Sequence, residues 1–212
     1  MNLKSFGCSF IFGSELHDQI RLSASQHTWP AIWARHLNLR YQCYASPGIG
    51  NVRIAEQVLN QIQRGESAVY VIGWTWIERF DFVQKDGDKW RTLSAWDSDS
   101  VAANYYRDIH SQYWDKLQTL TYVNLVVQQL LKHQHKFFMT YMDDLMLEHE
   151  FHCTPAMQLL QQQIKPYLHQ FQGMNFLDWS HFNGFEISQI NHHPLEAAHQ
   201  AAFEYVKHYH SF

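Results

Sequence analysis

The sequence predicts an α/β domain built on a mostly parallel sheet of about five strands. Three observations lead there. Short strand-like runs alternate with helix-length amphipathic segments along the whole chain, with no internal repeat, and that alternation implies βαβ units. The run AVYVIG at 68–73 is continuously apolar and rich in β-branched residues, the pattern of a strand buried on both faces. The chain has 212 residues, 46% of them hydrophobic and only 17% charged, which suits a large core and leaves little material for disorder. No linker or shift of composition divides it, so residues 1–212 are expected to form a single domain, with an insertion at about 80–98.

The elements follow in order. LKSFGC at 3–8 is a first strand ending in a turn-like GCS. Residues 27–38 place Trp29, Ile32, Trp33 and Leu37 at helical spacing. RYQCYA at 40–45 is the second strand, and SPGIGN after it is a turn dense in Pro and Gly. A second helix spans 51–63, with Ile54, Val58 and Ile62 four apart. The strand at 68–73 comes next, then DFVQKDGDKWRTL, a hairpin expected to turn at Asp86-Gly87. One long helix is predicted over 100–132, opened by the capping residues of SDS, with a stripe of Ile109, Tyr113, Leu117, Leu120, Val127 and Leu131. KFFMTYM at 136–142 is the fourth strand. Pro155 opens a helix to about 171, MNFLDW at 174–179 reads as a fifth strand, and Pro194 starts the last helix.

Composition excludes some function classes. The net charge is −4 and the pI near 6.4, with no run of Arg or Lys, so no nucleic-acid partner and no anionic membrane surface is expected. No stretch reaches the roughly 20 apolar residues of a membrane span, and none near the start has signal-peptide length. Cys8, Cys43 and Cys153 are isolated and odd in number, which reads as reduced thiols in a cytoplasmic setting. The 15 histidines include a C-terminal group of His181, His192, His193, His199, His208 and His210, but no HExxH occurs and no metal is expected.

In open parallel sheets, sites form outside the carboxyl ends of the strands. Four segments fall there or beside the last helix: Gly7-Cys8-Ser9-Phe10, Pro47-Gly48-Ile49-Gly50-Asn51, Gly73-Trp74-Thr75-Trp76 and Asn191-His192-His193-Pro194. A serine needs a base to become a nucleophile, and a histidine held at the start of a helix is one. A glycine at the next strand end lets its N–H approach a developing oxyanion. The bland alternative is that Ser9 is only a helix cap.

Taken together and in order, these blocks resemble the SGNH (GDSL-type) hydrolases. GCS at 7–9 matches the family's GDS with Cys8 in place of aspartate. Gly48 matches the second block. Gly73 begins the third, with Thr75 where asparagine is usual and Trp76 where aspartate is. His193 matches the histidine of the last block, and Ile190 stands where that block carries its aspartate. The wording KSFGCSFIFG and HHPLEAAH looks like a divergent branch seen in phage and marine bacterial sequences, for which virion association is open.

The resemblance implies a flavodoxin-like three-layer α/β/α sandwich and serine ester hydrolysis without a cofactor. It implies Ser9 as nucleophile, His193 as base, and an oxyanion hole of Ser9, Gly48 and Thr75. Without the family aspartate it implies a Ser–His dyad or a weakened triad, in which Asn191 accepts a hydrogen bond from the histidine or Glu186 or Asp178 is recruited.

Other residues keep two readings. Trp74 and Trp76 wall a pocket or fill the core. Arg79 binds a substrate carboxylate or phosphate, or pairs on the surface with Glu78 or Asp81. Asn51 caps a helix or touches substrate. Asp143-Asp144 is a loop cap, or a metal or substrate site. His199 is read as packed rather than catalytic. Three functions stay open: an esterase acting on a small-molecule or acylated-carbohydrate ester, a non-catalytic glycan-binding or structural protein, and an acyltransferase.

Overall fold

A computed structural model describes residues 1–20, 23–85, 87 and 89–209. Asp86 of the expected hairpin turn and His210 of the histidine group lie outside the described residues.

Five parallel strands form the central sheet, in the order β2-β1-β3-β6-β7. They are β1 (Asn2–Gly7), β2 (Arg40–Cys43), β3 (Ala68–Trp74), β6 (Lys136–Tyr141) and β7 (Leu168–His169). A second, two-stranded antiparallel sheet pairs β4 (Phe80–Val83) with β5 (Trp90–Leu93).

Side chains along a strand alternate between faces, and both faces of the central sheet are covered. On one face Phe6, Tyr70, Ile72, Trp74, Met139 and Tyr141 meet α3 (Asn51–Gln63), α5 (Gln112–Lys132) and α6 (Pro155–Ile164). On the other, Leu3, Val69, Val71 and Phe138 meet α2 (Trp29–His36), α7 (Phe176–Phe182) and α8 (Glu196–Val206). The result is the three-layer α/β/α arrangement expected. Among the described residues no helix is long and apolar enough to cross a membrane.

Two elements differ from the sequence reading. The long helix is two, α4 (Ser100–Asp108) and α5, broken at 109–111, where the Ser111 side chain accepts the Trp114 N–H and restarts the helix in a new phase. Ile109, Tyr113 and Leu131 are therefore exposed, and the buried stripe is Leu120, Val123, Val126, Val127 and Leu130. The fifth strand is β7, and MNFLDW at 174–179 instead enters α7. The reason is local: Pro166 interrupts the helix begun at Pro155, and the Asn175 side chain caps α7 by accepting the Asp178 N–H at 2.9 Å.

Candidate active site

The first strand ends against the third: Gly7 of β1 is in register with Gly73 of β3. A Cβ on Gly7 would lie 2.6 Å from Ile11 Cγ1, and one on Gly73 2.7 Å from the same atom. Both glycines are needed so that the short helix α1 (Ser9–Phe12) can rest directly on the carboxyl edge of the sheet. Ser9 opens that helix, 7% exposed, and its N–H has no acceptor among the described residues.

His193 comes from the loop before α8. Ser188 N–H donates to His193 C=O at 2.8 Å, and His193 N–H returns to Ser188 Oγ at 3.0 Å. Ile187 and Pro194 form a β-bridge, which closes the loop. Phe10 meets the imidazole edge-on, ring centroids 5.1 Å apart. His193 Nε2 lies 2.9 Å from Ser9 Oγ.

The other ring nitrogen, Nδ1, lies 2.7 Å from Glu15 Oε2. A neutral imidazole with its proton on Nδ1 satisfies both contacts, donating to the carboxylate and accepting from the serine. The three side chains lie in line, in the arrangement of a Ser–His–carboxylate triad. Glu15 sits six residues after the serine, at φ +70°, a left-handed backbone costing on the order of 1–3 kcal/mol for a residue with a side chain. Burial raises its carboxyl pKa, but hydrogen bonds from Ser188, His193 and Asn191 outweigh this and hold it below the ordinary glutamate value.

Asn191 therefore does not face the imidazole: its amide donates to Glu15 Oε1 at 2.8 Å. Neither Glu186 nor Asp178 meets His193. The Glu186 carbonyl accepts the Leu195 N–H, and Asp178 accepts the Asn175 amide. Ile190, at the family's aspartate position, is 81% exposed. Glu15 is not among the positions that the family resemblance points to, which lie near the histidine or in the loops of Glu186 and Asp178. The available signal was a lone glutamate in the loop that follows the serine.

Gly48, at φ +75° with no atom within 4 Å of a would-be Cβ, lines the cleft, and its N–H has no acceptor among the described residues. Thr75 is 1% exposed, is absent from the cleft wall, and has an unpartnered hydroxyl. Asn51 neither caps α3 nor reaches the cleft. It is buried and clamps the end of β3, accepting the Thr75 N–H at 2.8 Å and donating to the Thr75 carbonyl at 3.1 Å.

Trp74 is wholly buried in the core, whereas Trp76 lines the cleft. Arg79 lies over Trp76, with its guanidinium carbon 4.9 Å from the ring centroid, and Nη1 donates to the Ile49 carbonyl at 3.1 Å. It makes no ion pair with Glu78 or Asp81. The Asp81 carboxylate instead accepts from Gly50 N–H, Arg53 N–H and Thr92 Oγ1. Asp143 acts as a loop cap, accepting Ile77 N–H and Leu145 N–H. His199 is buried behind the site, accepts the Trp29 N–H and stacks near Phe176, and burial pulls its pKa down to about 3. Among the described residues no group of three His, Cys, Asp or Glu side chains could hold a metal ion.

Ser9, His193, Gly48, Phe10, Trp76 and Arg79 line one open cleft of about 580 Å³. Its rim carries Trp96, 66% exposed.

No family model matches the sequence, and no curated protein does. Solved structures do match. A lipolytic protein of the G-D-S-L family from Desulfitobacterium hafniense superposes with a TM-score of 0.54 at 8% identity, over 97% of each chain. The psychrotrophic esterase EstA from Pseudoalteromonas sp. also gives 0.54 at 8% identity, over 97% of this chain and 94% of that one. An acetyl xylan esterase from Butyrivibrio proteoclasticus gives 0.51 at 13% identity, over 98% of this chain and 63% of that one.

Proposed function

We propose that this chain, which has the fold of the SGNH (GDSL-type) hydrolases, is a serine ester hydrolase with Ser9, His193 and Glu15 as its catalytic triad. The observation that carries the reading is the unbroken line of contacts from Ser9 Oγ through the imidazole to the Glu15 carboxylate.

In this reading Ser9 Oγ attacks the acyl carbon of an ester while His193 Nε2 takes its proton. Glu15 stabilises the imidazolium and fixes its tautomer. The N–H groups of Ser9 and Gly48 receive the oxyanion; removing one such donor typically costs roughly 3 kcal/mol of transition-state stabilisation. The imidazolium then protonates the departing alcohol, and water repeats the cycle on the acyl-enzyme. Thr75 supports the hole through the backbone that Asn51 clamps, rather than by lending its hydroxyl.

The substrate class is a small-acyl ester. An acylated carbohydrate fits a cleft walled by Trp76 and rimmed by Trp96, since aromatic faces suit the apolar faces of sugar rings. Ile190 is no argument for a non-catalytic protein, because the acid arrives from another loop. The test is hydrolysis of 4-nitrophenyl acetate and acetylated xylan by wild type and Ser9→Ala. Turnover lost in the variant supports the reading, and equal release by both overturns it.

A further inference from the structure

The cleft continues past Gly48 into a recess of about 330 Å³ between the Pro47–Ile49 turn and the β4–β5 hairpin. Pro47, Gly48, Arg79 and Trp96 border both spaces, so they form one groove. The recess adds Arg53, and with it the acid Asp97, to the wall.

Both arginines keep donors to spare, although the Glu78 carboxylate feels the Arg79 charge and Asp81 that of Arg53. The Arg79 guanidinium uses one donor on the Ile49 carbonyl, and its Nε is shielded from solvent with no partner. Among the described residues neither arginine side chain has a carboxylate within ion-pair distance. Asp81 and Asp97 are engaged by other donors, while Glu78 Oε1 is buried without a hydrogen bond among the described residues. Asp81 receives two backbone N–H groups and the Thr92 hydroxyl, and Asp97 receives the Ser94 N–H.

On the far side of Trp76 the charge reverses. That recess is lined by Asp143, Asp144 and Asp178, and burial and the facing Asp178 push the Asp144 carboxyl up. The groove thus sets two arginines against one aspartate at one end and carries three aspartates at the other, on a chain whose net charge is −4.

We propose that Arg79 and Arg53 form a subsite for an oxyanion group, a carboxylate or a sulfate-like ester, carried by the substrate beside its scissile bond. The inference rests on the ester-hydrolase reading and narrows its substrate to anionic esters. A guanidinium stacked on an aromatic ring and short of partners is suited to forked recognition of such a group. The acidic end repels the same group, so the substrate enters in one orientation.

The test pairs anionic with neutral esters: 4-acetoxybenzoate against its methyl ester, and 4-nitrophenyl hemisuccinate against 4-nitrophenyl butyrate. The kcat/KM ratio of anionic to neutral ester is measured in wild type, Arg79→Gln and Arg53→Gln. Calorimetric titration of Ser9→Ala and Ser9→Ala/Arg79→Gln with sulfate and succinate runs beside it, and thermal melts check folding.

The expected result is a wild-type ratio above unity for one pair, falling roughly tenfold or more in Arg79→Gln through KM. A smaller fall is expected in Arg53→Gln, and Arg79→Gln should abolish saturable anion binding. Succinate bound without sulfate assigns the subsite to carboxylates, and both bound assigns it to oxyanions generally. Ratios unmoved in both arginine variants, or no saturable heat with either anion, overturn the subsite. If no ester is turned over yet anion binding disappears with Arg79, the subsite stands and the hydrolase reading falls.

Discussion

Replacing Glu15 by glutamine keeps the side chain's shape and removes its charge. The carboxylate lies 2.7 Å from His193 Nδ1, with the two side chains 20% and 11% exposed. Once Ser9 gives up its proton, that contact is between unit charges. At 2.7 Å the attraction is roughly 6 kcal/mol at an effective dielectric of about 20, and roughly 3 kcal/mol at about 40, a range suited to a partly exposed pair. The loss converts to about 10²–10⁴ in rate. Neutralising the acid of the serine-protease triad costs about 10⁴, at the upper end of that range. Steady-state hydrolysis of 4-nitrophenyl acetate should therefore show kcat reduced by about two to four orders of magnitude in Glu15→Gln, with KM little changed. Asn191→Ala, which removes only one donor to the carboxylate, should lose far less. A Glu15→Gln enzyme within about threefold of wild type would refute the assignment of Glu15 as the acid.

Four further outcomes follow from particular contacts. Glu15 titrates below its ordinary value of 4.5 in the fold, so its contribution to stability is complete above that pH and fades as pH falls through the folded value. The melting-temperature gap between wild type and Glu15→Gln should shrink in acid. His199 stays neutral in the fold down to about 3 while the unfolded chain protonates near 6.5, so wild type should lose stability between those limits more steeply than His199→Gln, as urea unfolding at several pH values would report. Asn51→Ala strands a buried N–H and C=O of Thr75 and should cost about 1–3 kcal/mol in urea unfolding. Gly7→Ala forces a methyl group to within 2.6 Å of Ile11 and 2.8 Å of the Gly73 carbonyl; overpacking of about 1–3 kcal/mol is expected, together with weaker active-site labelling as α1 shifts.

Periodicity carried most of the fold because the helices and strands that build the sheet bury regular faces. Ile54, Val58 and Ile62 line α3 as their spacing predicts, and AVYVIG is buried throughout. The reading failed where local caps override a regional pattern. Ser111 restarts a helix that apolar spacing alone would run through, and Asn175 starts one where apolar content suggested a strand. β7 is only two residues long and carries no periodic signal.

The site divides in the same way. Ser9 and Gly48 follow strand ends and His193 precedes the last helix, so their order along the chain is legible in the sequence. Glu15 reaches His193 from 178 residues away, through a left-handed turn that no periodicity encodes. Arg79 was foreseen as either a substrate contact or a surface pair. The hydrogen bonds of Asp81 engage that carboxylate elsewhere, while Glu78, adjacent in sequence, makes no ion pair with Arg79.

The most direct test of the account is reaction of the purified protein with a fluorophosphonate, followed by peptide mass spectrometry of the adduct in wild type, Ser9→Ala, His193→Ala and Glu15→Gln. The account predicts a single phosphonylated serine, Ser9, with no adduct in Ser9→Ala or His193→Ala and slowed formation in Glu15→Gln. An adduct elsewhere, or none in a folded wild-type protein, would contradict it.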